Sequence, residues 1–411
     1  MYEYTVCGNP CFISFLEKMK GAKKFYGKRR KRTCVIGAAL LLIFLLCRML
    51  FIRTEEVEDT TFEEGCWERE MRSEGVGDVK VRYVVIQTKP SPGWCRMLVS
   101  SLVVGIDVIT IGLDGVYHHT SRPHWFLNYI ESAGLSDDDV IVTFDGADTV
   151  FVNKHNLQCA ISKFISTTPS KPENFDEEKI LKGVQKSPLL FTAERGCFAS
   201  QLSVLFSIRG RKHEKRCERF YRGEISKAKA TGAERVMRMP KSGRAYLNAG
   251  GVIGRVWAFK EAIGGFSKLR EKSDRWWCDQ TIWTILFAWS VNQQDTGGKA
   301  VHLRKGLISL DYDARYFLIP SYTSPIRSMI LHFSGLIRDW KWWFPGVVRR
   351  LVWIQRMRDD VYQRDSRSLL TKTSLTIYGA KGEKYIRKFA DVCNVDEAVD
   401  YTWLSTVRSK H

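Results

Sequence analysis

The chain has 411 residues, 44% of them apolar and 12% aromatic, enough for one large core with additions or for two domains. Its net charge of +19 is uneven: the first 32 residues hold nine Lys/Arg against two Glu, and residues 209–244 hold thirteen against four, which leaves about +3 for everything else. This excludes a disordered polar chain and argues against a surface built throughout for nucleic acid; it points to a basic tail and one basic insertion.

In chain order, Lys28-Arg29-Arg30-Lys31-Arg32 directly precedes residues 33–52, TCVIGAALLLIFLLCRMLFI, a 20-residue run broken only by Arg48. About 20 apolar residues cross the hydrocarbon core, and Arg48 is near enough to the far end to snorkel. A cleaved signal peptide has a shorter apolar core and a small-x-small cleavage site, and neither is evident here. Positive charge before the span places that side in the cytosol. The expectation is a type II single-pass membrane protein: a cytoplasmic tail at 1–32, a transmembrane signal anchor at 33–52, a stem at 53–78, and a body facing the Golgi or ER lumen or the cell exterior. Seven of the eleven cysteines follow the span, and in an oxidising lumen some of them should pair. No CxxC spacing suggests zinc, and no N-glycosylation sequon occurs.

The body alternates strand-like and helix-like segments, which predicts an α/β fold with a mostly parallel sheet. Residues 80–88, KVRYVVIQT, read as the first strand, 94–101 as a helix and 105–113 as the second strand. A polar loop then carries Tyr117, His118 and His119, and a helix over 122–133 has Pro123 in its first turn. Residues 137–152, DDDVIVTFDGADTVFV, read as a buried strand ending in Asp145-Gly146-Ala147-Asp148. The two small residues let the backbone bring both carboxylates to one point, where they suit a hard divalent cation; the alternative is that one Asp caps a turn and the other is solvated. A helix over 154–166 follows, then a strand over 187–194 that ends in Glu194.

The basic insertion, about 200–244, reads as a solvated, mobile surface segment, with a patch for anionic lipid or an acidic partner as the alternative. Residues 245–256, AYLNAGGVIGRV, carry Gly250, Gly251 and Gly254, which allow a close backbone approach. Helices are expected over 257–269 and 276–289. Asp279 lies near the start of the latter, where a carboxylate caps well. Strands over 306–311 and 329–335 end at Asp311 and around His332; taken alone, His332 reads as a core histidine. Residues 347–362 read as one amphipathic helix, and 346–411 as a helical extension without chemistry of its own.

The order of TFDGADTVFV, LLFTAE, YLNAGGVIG, CDQTIWT, LDYDARYF and ILHFSG resembles the glycosyltransferase domain of the procollagen lysyl hydroxylase and collagen galactosyltransferase group. It is similar also to the trypanosome expression-site-associated, membrane-anchored proteins related to that domain. The resemblance covers residues 79–335. It implies a GT-A fold over 79–345, Rossmann-like, binding a UDP-sugar donor through Mn²⁺ held by Asp145, Asp148 and His332. It further implies Asp279 and Glu194 as catalytic residues, with Gln280 following Asp279. Asn248, Gly250 and Gly251 would line the sugar pocket, Asp311 and Thr88 would bind the nucleotide-sugar, and Tyr117 would stack on uracil. The iron-ligating hydroxylase domain of those relatives has no counterpart, so lysyl hydroxylation is not expected. The implied function is transfer of a hexose to a protein or glycan acceptor, with no nucleic-acid partner. The rival from another class is a membrane-anchored nucleotide-sugar or glycan-binding protein of the same fold, motivated by Cys278 before Asp279 and by Phe-Ser-Gly after His332.

Overall fold

The computed structural model describes residues 79–292, 301–335 and 337–407. The tail, anchor and stem expected at 1–78 lie outside the described residues; among the described residues no helix is long and apolar enough to cross a membrane.

The strands are β1 (Val81–Ile86), β2 (Val108–Ile111), β3 (Val140–Asp145), β4 (Thr149–Phe151), β5 (Leu189–Glu194), β6 (Tyr246–Arg255), β7 (Ile308–Asp311), β8 (Phe317–Leu318), β9 (Ile330–His332), β10 (Ser374–Tyr378) and β11 (Lys384–Lys388). Among the described residues up to 292, the helices of six or more residues are α1 (Pro92–Val103), α2 (Arg122–Ser132), α3 (Lys154–Thr167), α4 (Glu177–Lys182), α5 (His213–Ala230), α6 (Val256–Arg270) and α7 (Asp279–Asn292), and a further long helix, Asp360–Lys372, lies near the C-terminus. Eight strands form the main sheet in the order β11-β10-β2-β1-β3-β6-β5-β7. All run parallel except β6 and β11. This is a mixed α/β fold with a large, mostly parallel sheet, compatible with a Rossmann-like architecture. A second sheet of three strands, β4-β9-β8, stands beside it.

The period of two along β1 shows why the sheet is covered on both faces. Val84 and Ile86 enter one apolar cluster with Phe126 of α2, Phe259 of α6 and Trp283 of α7, whereas Tyr83 and Val85 enter another with Trp94 of α1 and Phe164 of α3. Local signals set the helix starts. Pro92 follows the Ser91 cap, whose Oγ accepts from Trp94 N at 3.2 Å, and Asn153 caps α3 by accepting from Asn156 N at 2.7 Å.

Three readings of the sequence need correction. The basic insertion is not simply solvated, since it contains α5, whose Cys217, Phe220, Tyr221 and Ala228 are buried in the core. Residues 347–362 are not one helix. The chain forms Phe344–Val348, Val352–Arg356 and Asp360–Lys372, broken by an extended Leu351 and by Asp359, which caps the third. The C-terminal extension is not only helical, because β10 adds to β2 in parallel and β11 closes that edge. A Cys95–Cys393 disulfide fastens this extension to α1, and Cys197–Cys217 fastens α5 near the end of β5.

Candidate metal centre

Asp145 is the last residue of β3, at the carboxyl edge of the parallel strands where crevices form in open α/β sheets. The chain turns through Gly146 and Ala147 into β4, and β4 pairs antiparallel with β9 so that Thr149 faces His332. Hydrogen bonds to the two Asp carbonyls set this turn: Thr149 Oγ1 donates to Asp145 O at 2.5 Å and Phe333 N donates to Asp148 O at 2.8 Å. Close packing holds it from behind. A Cβ on Gly93, in the first turn of α1, would lie 1.9 Å from Ala147 O, so only glycine fits there.

His332 Nε2 consequently lies 3.7 Å from Asp145 Oδ2 and 3.6 Å from Asp148 Oδ2. An ion held at about 2.1 Å by two ligand atoms keeps them at most about 4.2 Å apart, so both separations are within reach. Among the described residues neither ring nitrogen of His332 nor Asp148 Oδ1 has a hydrogen-bond partner, although His332 is only 1% exposed. Buried polar atoms left without partners are costly, and a cation coordinated by the two carboxylates and by His332 Nε2 would relieve that cost on the side where Nε2 faces them, leaving Nδ1 outside its reach. The residues present therefore fit a divalent ion, and the three form a group able to hold one.

Gly250 completes the floor. The pairing of β5 with β6 jumps between Phe191, opposite Val252, and Thr192, opposite Asn248. The bulge releases Ala249 and Gly250 toward the site. A Cβ on Gly250 would stand 2.2 Å from His332 Cε1 and 2.5 Å from Asp145 Oδ2. Gly251 faces elsewhere: a Cβ there would meet Thr192 Oγ1 of β5 and Phe317 of β8, not the His332 and Asp145 side chains.

Beside this cluster lies a second set of charges. Arg122 Nη2 is 2.5 Å from Asp145 Oδ1, and its Nη1 is 3.3 Å from Asp279 Oδ2. Burial works against the guanidinium's charge, but Asp145, Tyr117 and Asp279 outweigh it and hold Arg122 firmly protonated. Burial likewise pushes the Asp145 carboxyl up, yet Arg122 and then His332 bring it below its ordinary value. Asp148 and Asp279 are raised, because burial exceeds the help from His332 and from Arg122 respectively. For His332, burial opposes protonation, but Asp148 and Asp145 outweigh it and the net shift is upward.

Glu194 ends β5 in a network of amides. It accepts from Asn248 Nδ2 at 3.3 Å and from Gln280 Nε2 at 3.0 Å. The other ends of those amides hold the bulge, Asn248 Oδ1 accepting from Gly250 N and Gln280 Oε1 from Ala249 N. Burial pushes the Glu194 carboxyl up to about 8, with the amides and His332 offsetting only part. An apolar cavity lies under Arg122 and Asp279, lined among others by Phe126, Phe191, Val252 and Trp283.

The structure thus brings together Asp145, Asp148, His332, Gly250, Asn248, Glu194 and Asp279. Tyr117 stands at the margin, its hydroxyl 3.3 Å from His119 Nδ1, and it feels the charges of Arg122 and Asp145. Asp311 is used differently from the expectation. Both its oxygens accept backbone N–H groups of its own loop, Oδ1 from Arg315 and Oδ2 from Tyr316 and Phe317, so it builds the turn into β8. Thr88 lies two residues past the end of β1, where its carbonyl accepts from Asp114 N at 2.8 Å. Sequence reasoning missed Arg122. The signal was present: a cation in the first turn of a helix opposes the dipole and needs carboxylate company. Compared with known proteins, the chain matches no family profile and no curated protein.

Proposed function

We propose that the chain is a Mn²⁺-dependent glycosyltransferase of the GT-A type, transferring a hexose from a UDP-sugar to a protein or glycan acceptor. In this reading it is anchored through residues 33–52 with its body on the lumenal side of the Golgi or ER. The observation that carries the reading is the convergence of Asp145, Asp148 and His332 at the sheet's carboxyl edge, with buried polar atoms that lack partners. Two disulfides agree with an oxidising compartment.

The reaction breaks the bond from the anomeric carbon to the diphosphate oxygen and forms one to an acceptor oxygen. A bound cation supplies neutralisation of the departing diphosphate. Asp145, Asp148 and His332 would hold it, and the absent side chain of Gly250 keeps space for it. Arg122 presents fixed positive charge beside the same carboxylate and orients Asp279 at the start of α7. Asp279, buried and raised, is fitted to accept from sugar hydroxyls. Glu194 keeps its proton up to about pH 8 and can donate a hydrogen bond into the pocket while the Asn248 and Gln280 amides fix its orientation.

The test is a thermal-shift screen of UDP-sugars against the full chain with and without Mn²⁺, followed by UDP release assays. A ligand present at 100 times its Kd raises stability by about 2.7 kcal/mol, a readable shift. Asp148→Asn should remove Mn²⁺-dependent stabilisation and turnover together. A folded protein that binds neither Mn²⁺ nor UDP refutes the proposal, and UDP binding without transfer supports the binding-protein reading instead.

A further inference from the structure

We propose that the exposed face of α5 is a docking surface for an acidic polysaccharide, a chain bearing sulfate or carboxylate groups on successive sugars. The helix divides cleanly: Cys217, Phe220, Tyr221, Glu224 and Ala228 are buried, and the opposite side carries Lys215, Arg219, Arg222, Ser226 and Lys229. Those five recur at steps of four, three, four and three, so they form one straight stripe, about 21 Å long at 1.5 Å per residue. Lys215 is paired with Glu218, but among the described residues Arg219, Arg222 and Lys229 have no carboxylate partner. Exposed Arg211 and Lys212 extend the positive surface beyond the helix N-terminus.

The stripe is held rigidly. The Cys197–Cys217 disulfide fixes its first half. Further along, Tyr221 Oη accepts from Leu247 N at 2.9 Å and Asn292 Nδ2 donates to Glu224 Oε2 at 2.7 Å. Like charges that cannot move apart repel, and a linear polyanion relieves the repulsion while releasing its own condensed counterions. Arginine forks match sulfate and carboxylate oxygens in pairs.

The composition of the face selects this class of partner. No large apolar residue of α5 is exposed, whereas an interfacial membrane helix inserts such residues and a protein partner needs them as anchors. No Phe, Tyr or Trp of α5 is exposed either, and single-stranded nucleic acid is held by stacking on such residues.

The experiment measures heparin binding by the full chain over a series of NaCl concentrations. Parent protein should bind with log Kd linear in log salt. The triple reversal Arg219→Glu, Arg222→Glu, Lys229→Glu should weaken binding at least 100-fold at low salt. It should also lower the slope by about three, one for each cation removed. Thermal melting should not fall, since the face is solvated and the change removes mutually repelling cations. Should the reversal fail to fold, the neutral Arg219→Gln, Arg222→Gln, Lys229→Gln variant carries the same slope expectation. The proposal is overturned if the slope survives these changes, or if reversing Lys28 to Arg32 removes all heparin affinity. Tighter binding to phosphatidylserine vesicles, polyglutamate or duplex DNA than to heparin overturns it as well.

Discussion

Gly250→Ala is the sharpest probe of the metal centre, because it adds one methyl group and no charge. The new Cβ would lie 2.2 Å from His332 Cε1, 2.5 Å from Asp145 Oδ2 and 2.8 Å from His332 Nε2, where ordinary contact begins near 3.4 Å. One or both ligands must therefore retreat by roughly 1 Å, several times the ±0.2 Å that metal–ligand distances tolerate. His332 cannot swing aside freely, being 1% exposed and fixed in β9 against β4. Groups that merely support metal ligands are worth 10- to 100-fold in affinity; displacing the ligands themselves should cost about 100-fold or more, or about 2.7 kcal/mol. Overpacking adds a fold penalty of about 1–3 kcal/mol. The assay is Mn²⁺ titration followed by electron paramagnetic resonance, with urea unfolding in EDTA as the measure of folding. If Gly250→Ala binds Mn²⁺ as the parent does, the ion is not held between His332 and Asp145.

Four further outcomes are expected. Gly223→Ala in α5 and Gly264→Ala in α6 meet open space at the added Cβ and should each raise stability by about 0.5–1 kcal/mol, read by denaturant midpoint. Arg122→Met takes the shared guanidinium from the buried Asp279 and its neighbour Asp145, which should cost about 3 kcal/mol in EDTA; Mn²⁺ should recover more stability in this variant than in the parent. Glu194 has a folded pKa raised to about 8, so the folded state keeps a proton that the unfolded chain has lost. Stability from this group is full below about pH 4.5 and declines as pH rises to about 8. Glu194→Gln should flatten that part of the pH profile of unfolding, and an unchanged slope would show that Glu194 titrates normally. Cys393→Ser opens a loop spanning 298 positions and should lower stability by about 2–5 kcal/mol, measured by calorimetry under non-reducing conditions.

The α/β class, most element positions and the acidic turn after β3 were legible in the sequence, because each depends on neighbours within about four residues. An apolar run of β-branched residues makes β3 a buried strand wherever it lies in the sheet. Two small residues between Asp145 and Asp148 make the turn. Charge density hid the helical stripe in α5, since Cys217, Phe220, Tyr221 and Ala228 sit among six Lys/Arg and three Glu, and only the buried face shows that helical periodicity outweighed solvation there. The C-terminal strands were likewise not readable: β10 is a strand because β2 offers it an open edge.

Only the tertiary structure decided how the site is assembled. His332 is a core histidine by its local sequence and a candidate ligand only by the resemblance; it stands beside Asp145 and Asp148 because β9 pairs with β4 in a register that sets it opposite Thr149. Arg122 is an unremarked helix start until the sheet order carries Asp145 and Asp279 to it. Asp311, equally acidic and equally at a strand end, is consumed by its own loop. Periodicity is a short-range property of the chain, whereas the meeting of distant polar groups is fixed by how the whole sheet buries its apolar faces.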